Sequence, residues 1–338
     1  MIANDDLCTY FSSSIRANTL SHAFILLGAK GTGKHTLARL IAAALNCECK
    51  RDDHASIPCL ECDSCRKIMN GGSPDLILVS REKDRATLGV EAIRLIKDSI
   101  TFYPNDGDYK VYIIEDAHTM TAQAQNAFLL TLEEPPSYAV FILLCENTES
   151  ILETIKSRAP ILRLKTPGEK EVVEFLSKNN SLARSFINNS PEEFKQIYLA
   201  AGGSIGRILE LISSGDKKQI IQNRALTQKL IEALANKTVA RDFAEISAMF
   251  TQKRDEREKV ISQLLDIQGA LRDLMAVKKS DNAKMVFFTD PDYAEELSYS
   301  LSLQRITEIM ESAERARLSL IRNANVKLTV MNFLSALI

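Results

Sequence analysis

At 338 residues the chain is too long for one ordinary domain, and its 45% hydrophobic and 25% charged residues exclude disorder and fibrous repeats. Lys and Arg total 42 against 44 Asp and Glu, and the net charge of −2 excludes a nucleic-acid binder working by charge alone. No apolar run approaches the roughly 18 residues of a membrane-spanning helix, and Met1-Ile2-Ala3-Asn4-Asp5-Asp6 is acidic where a signal peptide is basic, so a soluble cytoplasmic protein without membrane contact is expected.

The first element is a short buried strand over 21–28, followed by a helix over His35–Asn46 with Leu37, Leu40, Ile41, Ala44 and Leu45 at helical spacing. Between them Gly28-Ala29-Lys30-Gly31-Thr32-Gly33-Lys34 satisfies G-x-x-x-x-G-K in the strand–loop–helix setting that the motif requires. Gly28, Gly31 and Gly33 allow the backbone to wrap a phosphate with its N–H groups inward. The helix N-terminus adds partial positive charge, and Lys34 is placed to reach terminal phosphates. Ser or Thr should come next, to ligate Mg²⁺ through its hydroxyl. Here His35 stands in that place, and Thr36 follows one residue late, rotated by about 100° around the helix. The segment therefore reads as a degenerate phosphate loop, compatible with ATP or ADP and poorly suited to Mg²⁺. A plain glycine turn is the bland alternative.

Five of the seven cysteines lie between Cys47 and Cys65. Cys59-x-x-Cys62-x-x-Cys65 supplies three thiolates, and Cys47 or Cys49 can supply the fourth that a closed, structural Zn²⁺ site needs. Cys47 is preferred because it ends the helix that the phosphate loop begins. His54 is a competing ligand, and disulfides are disfavoured in a chain without an export signal.

Strands over Asp75–Val79, Lys110–Ile114 and Val140–Cys145 alternate with helices over Val90–Ser99 and Thr121–Leu132, the pattern of a parallel sheet covered on both faces. The strand Lys110–Ile114 ends in Glu115-Asp116. An active ATPase of this kind places Asp first, for the Mg²⁺ shell, and Glu second, to polarise water. Reversal displaces each carboxylate by about one methylene, and misplacement of about 1 Å costs on the order of 100-fold in rate. With His35, the reversed pair points to lost hydrolysis. After a short helical stretch, Ile151–Ile155, Arg158 reads on the residues alone as a solvated arginine. From Pro167 onward only helices are expected: Glu169–Lys178, Pro191–Ala201, Ile205–Ile212 and then long amphipathic stretches. Val260, Ile261, Leu264, Leu265, Leu271, Leu274 and Met275 fit one apolar stripe, as do Ile306, Ile309, Met310 and Ala313. Boundaries near 166 and 213 divide the chain into 1–166, with the cysteine module at 47–65, then 167–212 and 213–338.

Taken together these segments resemble the bacterial clamp-loader subunits of DNA polymerase III, which are AAA+ proteins. The resemblance rests on His22–Gly28 leading into the loop and on Leu45-Asn46-Cys47 before the cysteine cluster. It rests further on Asn126-Ala127-Phe128-Leu129-Leu130-Thr131-Leu132-Glu133-Glu134-Pro135-Pro136, on Ser157-Arg158-Ala159 and on Asn323-Ala324-Asn325. It implies an α/β fold: an AAA+ P-loop parallel-sheet domain with an inserted zinc module, then a small helical lid domain and an all-α C-terminal collar domain. The implied partners are the other subunits, gamma/tau and delta, in a hetero-pentamer that reaches the sliding clamp and primer–template DNA. The family's ATPase subunits carry Thr after the loop lysine, an Asp-Glu pair and a sensor arginine. This chain has His35, Glu115-Asp116 and Gly206, with Arg207 one place late. These departures resemble the delta-prime members, which would offer Arg158 to a neighbour's nucleotide. A gamma/tau ATPase subunit and an unrelated P-loop ATPase are the alternatives. Leu130 and Ala159 replace a lysine and a cysteine of the family's motifs.

Overall fold

The computed structural model describes residues 2–50, 52, 56–82, 85–214, 217–242, 246–247, 250, 256–280 and 283–337. They form two compact units. The first comprises Met1–Val172 with Ser204–Arg207, and the second Val173–Gly203 with Ile208–Ile338.

Among the described residues, the first unit is built on five strands: β1 (Ala23–Leu27), β2 (Leu76–Val79), β3 (Lys110–Ile114), β4 (Ala139–Cys145) and β5 (Ile161–Arg163). All pairings are parallel, in the order β2-β3-β4-β1-β5. β1, β3 and β4 are buried along their whole length, which explains why they read as continuous apolar runs rather than alternating ones. Alternation reappears in the packing. Ile25, Tyr112, Phe141 and Leu143 face one core, whereas Phe24, Leu26, Val111, Ile113 and Ile142 face the other. The first core is completed by helices α4 (Val90–Ile100), α5 (Ala122–Glu133) and α6 (Glu153–Lys156). The second is completed by α1 (Asp5–Arg16), α2 (Lys34–Leu45) and α3 (Asp63–Met69). Tyr112 and Phe141, partners in the β3–β4 register, stack with ring centroids 5.3 Å apart.

Two helices cross from one unit's residues to the other's, α7 (Glu169–Asn179) and α10 (Ile205–Ser214). The other described helices of the second unit are α8 (Ser181–Asn189), α9 (Pro191–Ala200), α11 (Lys217–Ala235), α12 (Glu256–Val277), α13 (Pro291–Tyr299), α14 (Leu303–Ile321) and α15 (Val326–Ser335). Val260, Leu264, Leu271 and Leu274 of α12 meet Ile306, Ile309 and Ala313 of α14 in one core. Leu265, expected on the same stripe, is instead 50% exposed, because it follows Leu264 by one residue and so turns about 100° away.

Two buried charged side chains of the second unit have partners. Asp273, fully buried, accepts the backbone N–H groups of Val286, Phe287 and Phe288 at 2.8–3.1 Å. Arg224 lies 4.3 Å over the Phe287 ring and 3.7 Å from Asp266, and burial lowers its pKa. The Asn323-Ala324-Asn325 segment joins α14 to α15. Asn323 accepts from Arg257 at 2.8 Å, and Asn325 caps α15 by accepting from the Leu328 N–H at 3.0 Å. Among the described residues, no helix is long and apolar enough to cross a membrane.

Candidate functional site

The loop Gly28–Lys34 leaves the carboxyl end of β1, inside the sheet rather than at an edge, where ligands of open parallel sheets bind. Gly31 and Gly33 have φ of +76° and +92°, values that favour glycine, and Gly33 is the N-cap of α2. Within this frame the loop is folded onto itself. Lys34, only 7% exposed, donates to the Gly28 and Ala29 carbonyls at 2.6 and 2.9 Å. The Ala29 carbonyl also accepts from the Thr32 hydroxyl at 2.8 Å and the Thr32 N–H at 3.3 Å. Burial lowers the pKa of Lys34, and the nearby carboxylates Glu146 and Asp116 act in the opposite direction.

His35 points its Nδ1 to Glu115 Oε1 at 3.3 Å, so the first carboxylate after β3 is engaged by the residue standing where a Mg²⁺ hydroxyl would be. The second, Asp116, is held at φ +48° and lies 3.7 Å from Arg81. Thr36 is exposed on α2. The crest of the loop meets the start of α10. The Gly206 N–H donates to the Gly31 carbonyl at 3.3 Å, and a Cβ at Gly31 would lie 2.3 Å from Ser204 Oγ. A side chain at Gly206 would press within 3.3 Å of the Gly31 backbone, so glycine at 206 eases this approach.

Glu146 and Arg81 do not stand out in the sequence, whereas Ser204 lies in the Gly203-Ser204-Ile205-Gly206 segment that resembles the family's Gly-Ser-Leu-Arg. Glu146 had a signal: it is an acid placed directly after an apolar parallel strand, β4. Arg81 carries none, since it reaches the site from a connecting segment.

The four cysteines expected to bind metal are brought together. The Sγ atoms of Cys47, Cys59, Cys62 and Cys65 all lie within 4.8 Å of one another. Tetrahedral Zn–S bonds of about 2.3 Å place sulfurs about 3.8 Å apart, so small side-chain adjustments close the shell. The Cys59–Cys65 separation is already 4.0 Å. Cys59 Sγ accepts the Cys62 N–H at 3.4 Å, which favours the thiolate form a cation needs, and Cys62 Sγ accepts the Cys65 N–H at 3.5 Å. The backbone amides of Cys62 and Glu61 bring the Cys59 pKa down to about 6. Leu60 takes φ +62° to aim these amides, and the fourth thiol comes from Cys47, just past the end of α2. Cys49 lies outside the foursome, and its thiol is pushed up to about 11, chiefly by a hydrogen bond with Cys59. His54 lies outside the described residues.

Arg158 follows α6. Its Nη1 donates to the Thr154 carbonyl at 3.1 Å and its Nη2 to Glu133 Oε1 at 3.0 Å. Of the two motif replacements, Ala159 is fully buried whereas Leu130 is 66% exposed on α5.

The sequence profile described as "DNA polymerase III, delta subunit" matches residues 3–168. DNA polymerase III subunit gamma of Buchnera aphidicola (subsp. Schizaphis graminum) is 37% identical over 204 residues, covering 60% of this chain and 53% of its own length. DNA polymerase III subunit tau of Escherichia coli K12 is 32% identical over 64% of this chain and 33% of its own. From the same bacterium, subunit delta' is 29% identical over 299 residues, covering 88% of this chain and 82% of its own. The chain spans about half the length of several gamma and tau relatives it matches, 53%, 56% and 46% in three of them.

Proposed function

Because the chain belongs to the bacterial DNA polymerase III clamp-loader subunits of the AAA+ class, we propose that it is the delta-prime member: a component that does not hydrolyse ATP and supports the loading of a sliding clamp onto primed DNA. The observation that carries this reading is the His35–Glu115 contact beside a lysine turned onto its own loop. Hydrolysis needs Mg²⁺ at the phosphates and a carboxylate free to orient water. Here the Mg²⁺ ligand is replaced by an imidazole that engages one carboxylate, while Arg81 faces the other. Glu146, with Asp116, adds negative charge near Lys34, unfavourable to a nucleotide's terminal phosphates.

In this reading Arg158 acts in trans. Its planar, permanently charged guanidinium suits phosphate oxygens, and it would stabilise charge developing on a nucleotide held by the neighbouring ATPase subunit. Cys47, Cys59, Cys62 and Cys65 would hold one Zn²⁺, which supplies a structural cross-link between the end of α2 and α3 and takes no part in chemistry. Residues 1–166 form the AAA+ domain, 167–212 the lid and 213–338 the collar that joins the other subunits, gamma/tau and delta, in a five-membered ring. Contact with the clamp and with primer–template DNA is made by the whole complex.

A gamma-type subunit is the second reading, favoured by the 37% identity of a gamma relative against 29% for delta'. The two are separated by reconstituting the loader with and without this chain and by replacing Arg158. With Arg158→Ala, the delta-prime reading expects intact assembly on gel filtration and impaired clamp- and DNA-stimulated ATPase. Mg²⁺-dependent turnover by this chain alone, abolished in Lys34→Ala, would establish the gamma-type reading instead.

A further inference from the structure

Arg158 is fixed at both ends. Its backbone is anchored by Ala159 and Ile155, both fully buried, through the Ala159 N–H to Ile155 carbonyl bond at 2.9 Å. Its guanidinium is anchored by two acceptors on different elements. One is the Thr154 carbonyl in α6, which also accepts from the Ser157 hydroxyl at 3.0 Å. The other is the Glu133 carboxylate at the last residue of α5. Glu133 itself has little freedom of position, since Leu132 beside it is buried and Pro135-Pro136 prevent the helix from continuing.

We infer that Glu133 is a positioning residue for Arg158: it sets the guanidinium plane so that the remaining N–H groups are presented outward before any phosphate arrives. The inference rests on the trans role proposed above for Arg158. A guanidinium has five N–H donors in a fixed fork, and the two intramolecular bonds occupy two of them. The other three remain for an external anion. The side chains of Arg158 and Glu133 are 36% and 46% exposed, and an ion pair so open to water adds little to folding. Its value is geometric. A long arginine that is otherwise free must lose its rotamers when it reaches a phosphate, and a guanidinium already held loses fewer.

The test uses the reconstituted loader with Glu133→Ala, Glu133→Gln, Arg158→Ala and the double variant Glu133→Ala/Arg158→Ala, reading clamp- and DNA-stimulated ATP turnover. Glu133→Ala is expected to lower kcat by about 2- to 5-fold with KM for ATP unchanged, the scale of an exposed pair. Glu133→Gln, which keeps the accepting oxygen, should recover most of that loss. The double variant should be no worse than Arg158→Ala alone. Full activity in Glu133→Ala together with a clear defect in Arg158→Ala overturns the inference and leaves the role of Arg158 standing. Raised turnover in Glu133→Ala would mean that Glu133 restrains the arginine instead of presenting it, and additive losses would mean that it acts elsewhere; either outcome overturns the inference. No effect of Arg158→Ala removes the reading on which the inference rests. If Glu133→Ala fails to assemble, Glu133→Gln and the double-variant comparison in the Gln background decide the question.

Discussion

Lys34 already has two carbonyl partners inside its own loop, and a nucleotide phosphate must draw it away from both. His35→Thr alone is therefore expected not to restore Mg²⁺-dependent hydrolysis. It returns the hydroxyl, yet Glu115 and Asp116 remain in reversed order and Glu146 stays near Lys34. Phosphate release by the purified variant should stay far below the turnover of about 1 s⁻¹ at the low end of ordinary enzymes. Turnover at that level would show that the histidine is the sole defect. The cysteines allow a similarly sharp test. Elemental analysis should find one zinc per chain, lost in Cys47→Ser and retained in Cys49→Ser, because Cys47 belongs to the foursome and Cys49 does not. Four thiolates around one ion bind strongly, with apparent values of about 10–16 kcal/mol in finger peptides near neutral pH. The reverse pattern would reassign the fourth ligand. At this scale the sequence was informative wherever chemistry is local. G-x-x-x-x-G-K and C-x-x-C-x-x-C are contiguous and announce themselves, as does Glu115-Asp116. The contacts of Gly31 with Ser204 and Gly206 join residues far apart in the chain, and no spacing rule reaches them.

Among the elements, four of the five strands were legible, including the short, half-exposed β2, and β5 was not. β1, β3 and β4 are uniform apolar runs, whereas β5 has three residues and no fully buried position, so it leaves no run to read. α1 was missed for a related reason: Phe11 is its one buried residue among polar neighbours. α3 is set by the cysteine module instead of by periodicity, since Cys62 caps it and Cys65 buries it. Helix pairing in the second unit yields a prediction of its own. Glu314 of α14 accepts from Arg317 at 2.6 and 2.7 Å and from Gln268 of α12 at 2.9 Å. Arg317 first, then Gln268, pull its pKa from 4.5 down to about 2. A carboxylate with a lowered folded pKa stabilises above its unfolded pKa and loses that contribution as pH falls toward the folded one. Glu314→Gln should thus destabilise at pH 7 by less than about 1 kcal/mol, given the exposure of the pair. Urea midpoints of variant and parent should converge as the pH drops from 4.5 toward 2. A gap that stays constant across this range would show that the contact acts through shape alone.

For the whole molecule, the parallel sheet and the change to helices after Pro167 could be read from the alternation of elements. Which helix faces remain uncovered could not, because a stripe's partner is set by tertiary packing. Leu318 and Ile321 of α14 and Leu328 and Met331 of α15 remain exposed at 38–62%. If residues 213–338 are the assembly collar, these side chains form part of its contact with neighbouring subunits. Ile321→Asp combined with Leu328→Asp should then abolish co-purification with the other loader subunits and leave the melting curve of the isolated chain unchanged. Undiminished co-purification would move the assembly surface elsewhere.

The chain passes between its two units three times, at 172/173, 203/204 and 207/208. Four residues, Ser204–Arg207, thus return to the first unit after thirty-one have left it, and they rest on the crest of the phosphate loop. A piece cut to the family profile, residues 3–168, keeps every strand and every glycine of the motif but sheds this short return. Its loop would meet water where the intact chain meets Ser204 and Gly206. Nucleotide affinity measured on such a piece would belong to an uncovered loop, and it would overstate what the intact subunit can hold.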